Sequence, residues 1–138
     1  MSTVNQVEIQ TGIFYEIHPD HRNKTHNKSQ WNINIEEERS CFNKAIKNSW
    51  INKDVGWGLY FVNDILSYLG FAQDHITNIF IAKFVDGSNS NHWHGYPADH
   101  RKNNGDIPSR EILYLWLDAK VLSSPKIRKI LKGQPCSL

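Results

Sequence analysis

The sequence predicts an α+β fold in which a small sheet, expected to be antiparallel, packs against helices. Three observations predict it. The chain has 138 residues, a length typical of one domain spanning 1–138. Residues 78–86 form an apolar run typical of a buried strand. Apolar residues recur with helical spacing in the N-terminal half, at 35–51, and again over 108–132, where we expect a helix pair.

The sheet is expected to contain three or more strands. Residues 4–17 alternate apolar and polar side chains, as a strand does. The run at 78–86 is apolar on both faces, which places it centrally, and a turn leads from it into a returning strand at 91–97. Residues 57–62 fit either a strand or the approach to a helix over 60–69.

Each helix carries recognisable start or stop signals. Asn34 fits the N-cap of the helix at 35–51, and the acidic run 36–38 falls in its first turn, where the helix dipole favours negative charge. A proline in the first turn favours the start of each later helix, at 108–122 and at 125–132. The sequence therefore predicts one helix before the central strand and two after it.

Composition argues against a membrane protein and a disulfide-built one. Apolar residues make up 39% of the chain, and no run approaches the roughly 18 apolar residues of a spanning helix. No secretory leader is visible, and Cys41 and Cys136 alone do not make a disulfide framework. We therefore expect a soluble, cytoplasmic protein that has no membrane partner.

Positive charge is concentrated near the C-terminus. Residues 119–138 contain five basic side chains and no acidic one, whereas the remaining residues have an excess of acidic groups. Within this segment we take Lys126, Arg128 and Lys129 as candidates for binding phosphate or an acidic partner. A solvated helix face with cations near its C-terminal end would give the same pattern.

The segment 92–102 is the densest group of chemically capable side chains. It contains three of the seven histidines of the chain. If it begins as a strand, His92, His94 and Tyr96 point to one face and Trp93 points to the other. We expect any functional site to include this segment, and three interpretations of it remain open.

The first interpretation is a metal site. His92, His94 and His100 would supply three nitrogen ligands, the number used by an open zinc site, although their spacing matches no zinc motif. His18 or His21 would add a ligand if the segments 18–26 and 92–100 meet in space. A divalent metal such as zinc is the cofactor this interpretation implies, and the other interpretations need none.

The second interpretation is acid–base chemistry on a phosphodiester, as in a small ribonuclease. Two histidines serve as acid and base because their pKa lies near working pH. The catalytic candidates are again His92, His94 and His100. The supporting groups, which would fix a histidine, hold phosphate or stack on a base, are Asp99, Arg101, Lys102, Trp93 and Tyr96.

The third interpretation is that the segment does no chemistry: His92 and His94 satisfy loop carbonyls, or the segment contacts a partner. Within it, our leading expectation is a binding or accessory protein. Here the same side chains of 92–102, with the basic C-terminal helix, would engage a macromolecular partner. We expect that partner to be a protein, with a nucleic acid as the alternative. In small size and Asn- and Lys-rich composition the chain resembles small bacterial accessory proteins such as toxin-immunity and defence-system components, although no motif carries this resemblance.

Overall fold

A computed structural model describes residues 6–138 and confirms the α+β class. The helices are α1 (Ile35–Lys47), α2 (Arg110–Asp118) and α3 (Ser124–Leu131). The strands are β1 (Gln6–Gln10), β2 (Ile13–Glu16), β3 (Gln30–Trp31), β4 (Ile51–Asn52), β5 (Val55–Gly58), β6 (Tyr60–Val62), β7 (Ile65–Ser67), β8 (Gly70–Phe71), β9 (Asn78–Ile79), β10 (Ala82–Asp86) and β11 (His92–Pro97). Short 3-10 helices lie at Pro19–His21 and Asn104–Asp106.

The described strands form three sheets. The largest has the order β1-β2-β11-β10-β5-β4, a second has the order β3-β8-β9, and β6 pairs only with β7. The expectation of an antiparallel sheet holds for every pair except β2 and β11, which run parallel. The large sheet is therefore mixed, and β10 and β11 form its centre.

The pattern at 4–17 folds as a hairpin rather than as one strand. β1 and β2 pair in antiparallel register, with Gln6 opposite Glu16. Gly12 has a φ of +79°, which a residue with a side chain rarely adopts, so the chain can reverse between the two strands. Residues 4 and 5 lie outside the described range.

The prediction of one strand over 78–86 was wrong at its middle. β9 belongs to the three-stranded sheet and β10 to the large sheet. The carbonyl of Ile79 accepts from the Leu69 amide at 2.8 Å, and that of Ile81 accepts from the Ala98 amide at 2.8 Å. One apolar run therefore serves two sheets, although β10 has the predicted central place, between β11 and β5.

Residues 60–69 do not form the helix that their spacing allowed. β6 and β7 pair across Asn63 and Asp64, whose φ values are +51° and +67°. Two successive residues with positive φ are the signature of the type I′ turn, which asparagine and aspartate tolerate better than most residues. The local turn chemistry therefore decided between strand and helix.

Two of the three helices are shorter than predicted. The helix expected over 35–51 ends at Lys47, because Ser49 adopts a φ of +60° and turns the chain toward β4. The helix expected over 108–122 spans only Arg110–Asp118. The third differs from the predicted 125–132 by one residue at each end.

Helix α1 covers one face of the large sheet. The Phe42 ring lies 4.9 Å from Tyr15, 5.2 Å from Phe84 and 5.5 Å from Trp93, measured between ring centroids. At Gly95 an added Cβ would run into the Phe84 ring and lie 2.9 Å from the Lys83 carbonyl, so this packing needs glycine there. Side chains on the opposite face of β11 therefore point away from α1.

Candidate functional site

The face of β11 that points away from α1 carries His92, His94 and Tyr96. Residues alternate along this strand, with Trp93 buried on the inner side. The alternation predicted from the sequence is therefore confirmed. Across the ladder Tyr96 pairs with Lys83, which places that lysine on the same face.

The 3-10 helix Pro19–His21 brings two further imidazoles over this face. The centroid of the His18 ring lies 5.8 Å from that of His94 and 5.5 Å from that of His21. The His21 ring stacks on Tyr96 at 5.1 Å, with an interplanar angle of 17°. We call His18, His21, His94 and Tyr96 the histidine cluster. The two histidine-bearing segments of the sequence therefore meet in space.

An ion pair between half-buried Arg22 and the buried carboxylate of Glu38 fixes the loop that carries His18 and His21. The Arg22 guanidinium donates from Nε and Nη2 to Glu38 Oε1 at 3.0 and 2.7 Å, and from Nη1 to the Ile33 carbonyl at 2.9 Å. Tyr15 donates to the other Glu38 oxygen at 2.5 Å. Burial raises the pKa of Glu38, and the hydrogen bonds from Tyr15 and Arg22 oppose that rise. The loop is thereby fastened to both α1 and β2.

The tautomer of His21 follows from its partner. Its Nδ1 lies 2.8 Å from the Ser29 carbonyl oxygen. A carbonyl oxygen only accepts, so Nδ1 must carry the proton, and in the neutral ring Nε2 has a free lone pair. His21 is therefore oriented as a proton acceptor through Nε2.

Burial shifts the titration of two members of the histidine cluster. It is the largest cause that lowers the pKa of His21 and of His94 below the ordinary value, and the charge of His18 lowers both further. Glu16 acts in the opposite direction on His94. His18 itself has a buried Nδ1 without a hydrogen-bond partner within the described residues. At neutral pH, His21 and His94 are therefore mainly uncharged.

A cavity of about 300 Å³ adjoins the histidine cluster. His21 and Tyr96 line it, together with Asp106 and Lys28. Tyr96 donates to Asp106 at 2.7 Å, and Lys83 Nζ lies 3.7 Å from the same carboxylate oxygen, which offsets its charge. Lys28 is exposed and forms no ion pair within residues 6–138. The wall of the cavity thus carries one imidazole, that of His21, together with the unpaired cation of Lys28 and the carboxylates of Asp99 and Asp106.

Several residues of the predicted site make other contacts, although Asp99 also lines the cavity beside the histidine cluster. Trp93 is only 4% exposed and packs in the core. Arg101 donates to Asp99 from Nε at 2.9 Å and from Nη2 at 2.8 Å, so these two charges pair with each other. His100 Nε2 donates to the Gln134 carbonyl at 2.7 Å. His100 lines a different cavity, of about 250 Å³, whose wall also includes residues 135–138.

The remaining basic candidates lie on the surface. Lys102 is exposed in the loop after β11. Arg128 and Lys129 are exposed on α3, whereas Lys126 donates to the Leu138 carbonyl at 3.2 Å. These side chains are free to meet a charged partner, with the exception of Lys126, and none of them lines the cavity beside the histidine cluster.

The described residues contain no arrangement typical of a metal site. Within residues 6–138 no group of three or more His, Cys, Asp or Glu side chains is placed to hold a metal ion. Of the predicted ligands, His92 uses Nδ1 for a hydrogen bond with Ser90, and His100 uses Nε2 as described above. His92 and His94 share one face of β11, and no third ligand joins them there.

No protein-family model, curated protein or solved structure matches the chain. None of the helices in the part of the chain that the structure describes has the length and apolarity needed to cross a membrane.

Of the histidine cluster, His94 and Tyr96 were predicted from the sequence as site residues, and His18 and His21 only as additional metal ligands. Lys28 and the Ser29 carbonyl were not predicted as parts of the site. A carbonyl leaves no signal in the sequence, and Lys28 stands in a polar loop where lysine is ordinary. The concentration of histidine in the segments 18–26 and 92–100 was the one signal in the sequence that pointed to this site.

Proposed function

We propose that this chain is a histidine-dependent phosphodiesterase that cleaves RNA. The observation that carries the proposal is the meeting of His18, His21 and His94, whose neighbouring ring centroids are 5.5 and 5.8 Å apart. Cleavage of a phosphodiester by acid–base catalysis needs one imidazole that takes a proton and another that gives one. His21 at the wall of the cavity, with His18 and His94 as neighbouring rings, would supply these two groups.

In the proposed reaction the substrate provides its own nucleophile. His21 Nε2 takes the proton of the ribose 2′-hydroxyl, and the 2′-oxygen forms a bond to phosphorus. The bond from phosphorus to the 5′-oxygen breaks, and His94 gives a proton to that leaving oxygen. The products are a 2′,3′-cyclic phosphate and a 5′-hydroxyl, so no water, oxidant or reductant is consumed. RNA fits this chemistry because DNA lacks the 2′-hydroxyl.

A cationic side chain would stabilise the charge that develops on phosphate. Lys28 is an unpaired cation at the wall of the cavity. Enzymes usually stabilise such a transition state with positive charge that is preorganised in a site partly shielded from water.

Cleavage of a labelled RNA, compared with a DNA of the same sequence, tests the proposal. We expect products that end in 2′,3′-cyclic phosphate and 5′-hydroxyl from RNA and no products from DNA. His21→Gln, purified in the same way, controls for contaminating ribonucleases. No RNA cleavage by the wild type, or equal cleavage by His21→Gln, would reject the function.

The rate is expected to depend on pH in a particular direction. Burial lowers the pKa of both His21 and His94, so both values lie below about 6.5. A reaction that needs one protonated and one neutral group is fastest between the two pKa values. We therefore expect kcat/KM to peak in mildly acidic solution and to fall as pH rises. A maximum at or above about pH 7 would contradict this assignment.

Partner binding through 92–102 has less support and stays a prediction. A docking surface needs free side chains, but Trp93 is buried, Asp99 pairs with Arg101 and Tyr96 is covered by His21. Hot-spot residues of interfaces need to be available for burial by the partner. The geometry of this segment therefore favours chemistry over docking.

A further inference from the structure

We infer that Phe14 and His92 form a stacking subsite for a nucleobase of single-stranded RNA, an inference that rests on the proposed function. Their rings are nearly parallel, with an interplanar angle of 10° and centroids 5.2 Å apart. Phe14 and His92 are Cα partners in the parallel pairing of β2 with β11. His92 is exposed. Phe14 is half-buried beneath it, so the His92 ring is the part of the pair that a base can reach.

The subsite lies on the same strand face as the histidine cluster. His92 and His94 are two residues apart on β11, so their side chains share one face about 7 Å apart along the strand. A base stacked on His92 would therefore leave its sugar and phosphate near His94. Stacking on aromatic rings is how proteins hold the unpaired bases of single strands, whatever the base.

The platform is held in place before any ligand arrives. Asp86, only 5% exposed, accepts hydrogen bonds from the backbone amides of Ser90, Asn91 and His92 at 3.1, 2.8 and 3.3 Å. His92 Nδ1 lies 3.1 Å from the Ser90 carbonyl, and the Phe14 amide donates to Asn91 at 2.8 Å. A rigid ring loses little entropy when a base stacks on it, which favours binding.

From the sequence, Trp93 or Tyr96 was predicted to stack on a base. Trp93 lies in the core, and one face of the Tyr96 ring is covered by His21. Phe14 and His92 are the stacked aromatic pair beside His94 that retains an exposed member. The preference for a single strand follows because a base inside a duplex has no free face.

The test measures binding of a 2′-O-methyl oligonucleotide, which this mechanism cannot cleave, by fluorescence anisotropy. We expect Phe14→Leu and His92→Gln each to raise Kd by about 5- to 100-fold. The control variant Tyr114→Leu, at a 48% exposed aromatic residue on α2, should leave Kd unchanged. An oligonucleotide with abasic sites should bind the wild type weakly and should be insensitive to both substitutions. Thermal unfolding of each variant confirms that it is folded.

The outcomes separate the two proposals. If wild-type RNA cleavage is found but Kd is the same in Phe14→Leu, His92→Gln and the wild type, the stacking subsite is rejected and the phosphodiesterase stands. If both substitutions weaken binding but the wild type cleaves no RNA, the subsite stands and the activity is rejected. Failure of the wild type to bind the 2′-O-methyl strand rejects the subsite outright.

Discussion

Replacing Glu38 with alanine is expected to lower the free energy of unfolding by about 3–5 kcal/mol, because removal of one member of a buried ion pair strands the other. The Glu38 side chain is fully buried. Its carboxylate accepts two hydrogen bonds from Arg22 and one from Tyr15, and all three donors would lose their acceptor. Unsatisfied buried donors cost more than the bonds themselves contributed.

Urea denaturation of Glu38→Ala beside Glu36→Ala measures this effect. Glu36 lies in the same helical turn and is exposed, so its loss removes only a favourable interaction with the helix dipole, about 0.3–1 kcal/mol. Glu38→Gln should fall between the two, because an amide oxygen still accepts but carries no charge. If Glu38→Ala costs no more than Glu36→Ala, the buried pair does not hold the fold in the way we describe.

The ion pair also links stability to the site. Arg22 follows His21 directly in the chain, and it anchors the loop to α1 through Glu38. A Glu38→Gln protein that remains folded is therefore expected to bind the 2′-O-methyl strand normally on β11 but to cleave RNA slowly. Glu38 is a positioning residue in this account, since it touches neither the cavity nor the substrate.

The parts of the fold that depend on adjacent residues were predictable. Asn34 and Glu37 form the capping box that their spacing indicates, each side chain accepting at 2.8 Å from the backbone amide of the other. The alternation of β11 likewise placed His94 and Tyr96 on one face. Both signals are local, because a cap spans one turn and a strand has a period of two.

Contacts between distant residues were not predictable. Glu38 follows Glu36 and Glu37 in an acidic run that was expected only to complement the helix dipole, and nothing in that run distinguishes it from its neighbours. Its burial depends on Tyr15, which is 23 residues away, and on Arg22, which is 16 residues away. No periodicity encodes that meeting. The same holds for the approach of His18 to His94, which needs the loop to be folded back by this ion pair.

The division of 78–86 between two sheets has a related cause. An apolar run indicates burial on both sides but not which neighbour it pairs with. Leu69 and Ala98, which bond to the carbonyls of Ile79 and Ile81, belong to other parts of the chain. At 60–69 a local signal did exist, since Asn63-Asp64 is suited to a type I′ turn, and the helical spacing obscured it.

The largest functional effect is expected at His21 and His94. Replacing either with glutamine should lower kcat/KM for RNA by about 10²- to 10⁴-fold, the usual contribution of one acid or base group. The double variant should be little slower than the worse single one, because groups that act as a unit in one step are not additive. Glutamine can still donate to the Ser29 carbonyl, so the loop should remain folded.

His26→Gln is the matched control, since His26 is exposed in the same loop and outside the histidine cluster. It should keep the wild-type rate, whereas loss of rate in all three variants would indicate a general disturbance of the loop.

The pH profile adds a second criterion. A single variant that loses the acid should lose the alkaline limb of the profile, and one that loses the base should lose the acidic limb. If His94→Gln keeps both limbs, His94 is not the acid, and His18, at 5.8 Å, is the next group to substitute.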